Sequence, residues 1–254
     1  MKKWVFIGIA AIIVAAIFYR RSRGKSVFDP PKEPTYNPPG ESNANAVNQW
    51  ALNMAEYYTR EPIKKDGEVW TWQSRGGVDL DALHDLRRLF GWHLACVIVA
   101  HILKEQGNGK GIGGNRWGIH YTQSGIVGKW ATSSTYLDQG APLAYTDSGT
   151  KGLKMYLDLL TRGQRYVRQY IPQLAWAAYT SGNPIYAQLL LIAIARAGWH
   201  ANRVDYARSL LHCFEKVHQA AQRTPPDPVS NVEDLVQMSD EEWAKYLQSK
   251  GVKI

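Results

Sequence analysis

Two cysteines in 254 residues are too few for a disulfide scaffold, which excludes the small stapled domains of secreted proteins. A single bridge between Cys96 and Cys213 stays open in an oxidising compartment. Cys96 lies in the apolar run Leu94-Ala95-Cys96-Val97-Ile98-Val99, where a thiol reads as a small buried hydrophobe. Metal patterns are lacking too. The seven histidines are scattered, and no His-Glu-x-x-His pair sets two imidazoles on one helical face. His101 and Glu105 stand four apart, but two ligands make no site, so neither metal nor cofactor is expected.

A phosphate cradle is also missing. The segment Gly107-Asn108-Gly109-Lys110-Gly111-Ile112-Gly113-Gly114 is rich in glycine, yet Lys110 is followed by glycine where a P-loop needs Ser or Thr. The loop also follows a helix, whereas nucleotide loops follow a strand. A cysteine nucleophile would need an activating histidine. Cys96 with His120 is the candidate pair, and an apolar helix around Cys96 argues against it.

What is present begins with charge. A formal net charge of +8 and a pI near 9.4 favour polyanions, whether nucleic acid, anionic lipid or an acidic cell wall. The segment 4–19 holds no charged side chain and spans about 24 Å as a helix. That is short for a bilayer, but Lys2 and Lys3 before it and Arg20, Arg21, Arg23 and Lys25 after it can snorkel outward. The run ends in Ile17-Phe18-Tyr19-Arg20 with no small-x-small cleavage site, so an uncleaved single-pass anchor over 1–25 is favoured over a signal peptide. The heavier basic cluster follows the run, a bias that keeps the rest of the chain on the cytoplasmic side. A wall-directed domain then needs translocation against that bias, in a bacterial inner membrane, or delivery from the internal membrane of a virus particle.

Residues 26–45 carry Pro30, Pro31, Pro34, Pro38 and Pro39 among polar neighbours and read as a semi-rigid spacer. The globular region is expected over 46–223. Apolar residues at helical spacing predict helices over 46–58, 80–90, 92–106, 150–162, 171–180, 184–197 and 204–222. Residues 115–145, rich in Thr, Ser, Tyr, Trp and Gly, predict short strands and turns. The fold class is therefore mainly α, an α+β domain with a small β lobe. Thr224-Pro225-Pro226-Asp227-Pro228 closes the region, and 224–254 form a tail. Ser239-Asp240-Glu241-Glu242 has capping-box spacing before a short helix over 241–249, expected to pack weakly or to bind a partner.

Glu105 is the most informative acid. It ends a helix whose inward stripe runs through Leu94, Ile98 and His101 or Ile102, which carries its carboxyl to the buried side. Desolvation there raises a carboxyl pKa toward neutrality, as a general acid requires. The alternative is a solvated glutamate in a fraying last turn beside Lys104.

Ala100-His101-Ile102-Leu103-Lys104-Glu105-Gln106-Gly107-Asn108-Gly109, followed by Gly114-Asn115-Arg116-Trp117-Gly118-Ile119, resembles the core of the glucosaminidase family of peptidoglycan hydrolases. Asp147-Ser148, the helix with Tyr156-Leu157-Asp158-Leu159-Leu160, and Ala178-Tyr179-Thr180 with Pro184-Ile185-Tyr186-Ala187 resemble later motifs of that family in the same order. The resemblance implies a lysozyme-like helical domain with a polysaccharide groove beside a small β lobe. It implies Glu105 as catalytic acid, Tyr179 near the scissile bond, and peptidoglycan rather than nucleic acid as partner. The family's β-lobe glutamate is replaced, since Ser134-Thr135-Tyr136-Leu137-Asp138-Gln139-Gly140 has Tyr136 at the matched position. Asp138 is the sole acid in 115–145 and becomes the candidate auxiliary carboxylate. Without it, help from the substrate's N-acetyl group or a one-acid lytic transglycosylase reaction remains. So does a catalytically inactive wall-binding protein.

Aromatic faces stack on pyranose rings while their polar edges bond hydroxyls. Trp117, Tyr121, Trp130 and Tyr136, with Asn115, are the candidate substrate-binding residues, and Tyr145 and Tyr179 lie beside them. Trp117 is also a core candidate.

Overall fold

A computed structural model describes residues 74–75, 78–106, 114–122, 125–146 and 149–254. The expected anchor over 1–25, the spacer over 26–45, the helix over 46–58, the glycine-rich segment 107–113 and Asp147-Ser148 lie outside the described residues. Among the described residues, no helix is long and apolar enough to cross a membrane.

The described residues are mostly helical, as the periodicity predicts. Two short antiparallel strands, β1 (Ser74–Arg75) and β2 (Val78–Asp79), lead into helix α1 (Leu80–Gln106). The two helices expected over 80–90 and 92–106 are the halves of α1, and Gly91 is the joint between them. Its φ of 68° and ψ of 177° break the helix, in a region open to glycine and strained for any other residue.

Beyond α1 come α2 (Ile126–Trp130), the strands β3 (Thr132–Asp138) and β4 (Ala141–Tyr145), and α3 (Gly149–Arg162). Then follow α4 (Gln164–Val167), α5 (Ile171–Ser181), α6 (Pro184–Arg196) and α7 (Arg203–Ala220). The single-turn helices α2 and α4 are too short to leave a periodic signal. In α6 every residue from Ala187 to Arg196 is buried, as an all-round apolar helix must be. Asn183 starts it, its side chain accepting from the Ile185 N–H at 3.0 Å, with Pro184 next, where a missing N–H costs nothing. Helices α1, α5 and α7 pack around this core helix.

The β lobe is an antiparallel hairpin. Asp138 pairs with Ala141 and Thr132 with Tyr145, with a register shift between Ser133 and Leu137. Its two-residue turn, Gln139 (φ 51°) and Gly140 (φ 81°), takes the left-handed backbone that tight hairpins need. The preceding chain adds an edge: the Tyr121 N–H donates to the Pro142 carbonyl and the Ala144 N–H to that of Ile119, each at 2.8 Å.

The tail departs from expectation. Residues beyond 223 form α8 (Val232–Gln237) and α9 (Asp240–Ser249), and Leu235, Val236, Trp243, Leu247 and Val252 are all buried. The Ser239 and Glu242 capping box starts α9 as its spacing predicts. The expected weak packing is overturned. Arg196 is buried and donates from Nη1 to the carbonyls of Leu235 (2.7 Å), Val236 (3.1 Å) and Met238 (2.9 Å), and its guanidinium lies 4.9 Å from the Trp243 ring centre. A guanidinium supplies donors for the carbonyls that end a helix, so it ties the tail to the core. The globular domain therefore extends past 223 to the C-terminal residues.

Candidate active site

The second half of α1 turns Leu94, Ile98, His101 and Glu105 inward, and Glu105 is only 4% exposed. The solvated reading of this glutamate is thereby excluded. Glu105 forms part of the wall of an open cavity of about 460 Å³ between the helical body and the β lobe. Gly118, Ile119 and His120 line it from the lobe, with Gln139 from the hairpin turn; Tyr166 and Arg165 enter from α4, and Trp199 and His200 from the α6–α7 connection.

A line of hydrogen bonds reaches Glu105 from behind. Tyr206 of α7 donates its hydroxyl proton to Oε1 of Glu105. That uses the one hydrogen Tyr206 has, so His101 Nε2, 2.9 Å from the same hydroxyl, is the protonated ring nitrogen. His101 Nδ1 then accepts from the Tyr156 hydroxyl at 2.9 Å. Burial pushes the His101 imidazole down to about 3, so it is neutral at any working pH. Burial, followed by the nearby Glu105 charge, holds the Tyr206 hydroxyl well above its ordinary range and keeps it a donor. Trp199 packs edge-on against His101 with ring centres 4.4 Å apart, and His200 stacks on Tyr206 at 5.5 Å.

The sequence candidates divide. Asn115 is fully buried and bound to backbone: Nδ2 donates to the carbonyls of Ile119 (2.9 Å) and Ala144 (2.8 Å), and Oδ1 accepts from the Ile119 N–H at 3.1 Å. It staples the cavity wall to β4 and does not face a sugar. Beside it, a β-carbon on Gly152 would stand 1.7 Å from the Gly114 carbonyl oxygen, so α3 needs glycine there for this turn to pack. Trp117 is fully buried and stacked on Tyr156, so of its two readings, sugar platform and core residue, the structure shows the core one.

Trp130 is half-buried, donates from Nε1 to Asp158 Oδ2 at 2.7 Å, and has the ammonium groups of Lys129 and Lys154 4.7 and 4.8 Å from its ring centre. Neither it nor the half-buried Tyr121 is among the residues lining the cavity with Glu105. Asp138 ends β3 next to the cavity-lining Gln139, and Tyr136 lies within the irregular stretch of that strand. The side chains of both are outside the described residues.

Tyr179 is a correction. Its ring sits beside Gly91, 3.7 Å from where a β-carbon on that glycine would stand, and His93 Nε2 meets the Gly182 carbonyl at 2.7 Å at the same end of α5. Glu105 lies at the opposite end of the second half of α1, about 20 Å away at ~1.5 Å per residue. Tyr179 therefore does not stand at the acid. The tyrosines that do are Tyr206 and Tyr166. A buried histidine four residues before a buried glutamate signals that polar partners must come from another element, but nothing in the sequence singles out Tyr206.

Cys96 is fully buried and its thiol is pushed up by burial; it is free, as is the buried Cys213. The Cys96 and His120 pair does not form a nucleophile, because His120 lines the cavity while Cys96 lies in the core. Among the described residues, no cluster of three His, Cys, Asp or Glu side chains could hold a metal ion.

Fold and site together define a mostly helical domain with an aromatic-walled cleft over one buried carboxyl. No protein-family model matches the chain, and no curated protein or solved structure matches it.

Proposed function

We propose that this protein cuts the glycan backbone of peptidoglycan, through a lysozyme-like cleft in which Glu105 is the general acid. The observation that carries the reading is the buried Glu105 carboxyl in the wall of the cavity between the helical body and the β hairpin. A protonated Glu105 gives its proton to the glycosidic oxygen as the bond to the anomeric carbon breaks. The ionised carboxylate then takes a proton from the group that captures that carbon. With water as that group the products are those of a glucosaminidase. With a hydroxyl of the sugar itself, the product is an anhydro sugar, as in a lytic transglycosylase. In this reading residues 4–19 anchor the chain in a bacterial inner membrane or the internal membrane of a virion.

The transglycosylase route has one observation in its favour. Among the described residues lining the cavity, Glu105 is the only acid. Asp158, the other buried acid near the lobe, is committed to Trp130 and Arg162. Mass spectrometry of fragments released from purified peptidoglycan tests the proposal. Reducing GlcNAc ends identify hydrolysis and anhydro-muramic ends identify transglycosylation. Absence of both, with the protein still bound to the wall, would replace catalysis with wall binding.

A further inference from the structure

Four buried side chains from three helices form one line that ends on the acid: Tyr156 of α3, His101 and Glu105 of α1, and Tyr206 of α7. Such a line is costly to keep in a core, because each member loses water and depends on its neighbour for a partner. An apolar core would be simpler. What the line provides is a donor of fixed direction at Glu105 Oε1, since the Tyr206 hydrogen is turned to the carboxylate by the Nε2–H of His101 behind it.

We infer that Tyr206, oriented by His101, is a positioning residue that holds the Glu105 carboxyl in place and sets the pH at which it keeps its proton. The inference rests on the proposed role of Glu105. Its physical basis is a balance of two opposing effects. Burial alone makes a carboxyl hold its proton too tightly to release it, while a hydrogen bond donated to the carboxylate favours the ionised form. A general acid must do both in each cycle, and a strong donor at its carboxylate brings it toward the working pH. The neutrality of His101 means that the effect travels through hydrogen bonding and not through charge.

Other titratable groups face this region from every side. Lys104 on α1 carries its ammonium 5.7 Å from the Tyr206 ring centre, and the Cys213 thiol on α7 is pushed up first by burial and further by the nearby Glu105 charge. Arg165 and Tyr166 of α4, with His120 and His200, are the other described titratable groups in the cavity wall. All of them persist when one hydroxyl is removed, so Tyr206→Phe isolates the donor.

The test follows the Glu105 carboxyl carbon by NMR in the full-length, detergent-solubilised chain labelled with carboxyl-13C glutamate, the resonance being assigned by its loss in Glu105→Gln. In Tyr206→Phe the titration midpoint should rise by about one pH unit, the size expected for one lost charge-assisted bond. In His101→Leu it should rise by less, and His101→Gln, which keeps an N–H for the Tyr206 oxygen, should restore most of the change. The alkaline limb of wall clearing should move up with the midpoint. 3,5-Difluorotyrosine at position 206 keeps the shape and strengthens the donor, so it should lower the midpoint even where Tyr206→Phe fails to fold. An unmoved midpoint in either folded variant overturns the inference. If the wild-type chain releases no wall fragments, the acid role of Glu105 fails by itself, and the titration still decides the coupling to Tyr206.

Discussion

The Trp117 indole lies flat on the Tyr156 ring, with centres 4.4 Å apart and planes 8° from parallel. This contact seats the tyrosine that begins the hydrogen-bond line to Glu105, so a residue typical of sugar platforms serves here as a pillar behind the site. Trp117→Ala should cost about 3–5 kcal/mol of stability by the cavity it leaves. Urea denaturation followed by far-UV circular dichroism measures this. A folded variant of near wild-type stability with weakened glycan binding would return Trp117 to the groove.

Tyr179 should be dispensable for chemistry. Its ring is beside Gly91 at the far end of the helix that carries Glu105, so Tyr179→Phe should clear peptidoglycan within about twofold of the wild-type rate. A loss of a hundredfold without loss of folding would mean that Tyr179 reaches the scissile bond.

The C-terminal tail should be a structural part of the domain. Arg196→Leu keeps apolar bulk but leaves the carbonyls of Leu235, Val236 and Met238 without their donor, at a cost of about 3 kcal/mol. Amide exchange should accelerate in α8 and α9 before it does so in α6. Equal exchange in variant and wild type would show that the tail is held by its buried apolar side chains without the Arg196 bonds.

The longer helices were legible because they carry apolar residues at intervals of three and four, and the inward turn of Glu105 followed from the same stripe. The joint at Gly91 was legible as the gap between two stripes. The partners of Glu105 were not, because Tyr206 is 101 residues away and pairs through tertiary packing that no local spacing encodes. Asn115 misled, and Trp117 stayed open between groove and core, for a related reason. A buried polar staple and a buried indole carry the same letters as groove residues, and only burial separates the two uses. The tail was underestimated because α9 is short, although Trp243 and Leu247, four apart, mark its buried face.

Acid should weaken the fold. His101 is neutral in the native chain down to about 3 but takes up a proton near 6.5 once unfolded. Because the unfolded chain binds the extra proton, the stability from this group is complete above about 6.5 and falls by about 1.4 kcal/mol per pH unit below it. Burial lowers His93 and His218 in the same direction, so they add to the loss. Urea midpoints at pH 7 and pH 5 should differ in that sense, and the difference should shrink in His101→Gln. An unchanged difference in that variant would assign the loss to other groups.

Glu105→Gln on purified peptidoglycan is the most direct test of catalysis. Glutamine keeps the volume and an oxygen for the Tyr206 hydroxyl to donate to, but it has no proton to give. The rate of wall clearing should fall by about two to four orders of magnitude, with the thermal midpoint unchanged or slightly raised. A folded Glu105→Gln protein that clears peptidoglycan at more than about a tenth of the wild-type rate would contradict Glu105 as the acid.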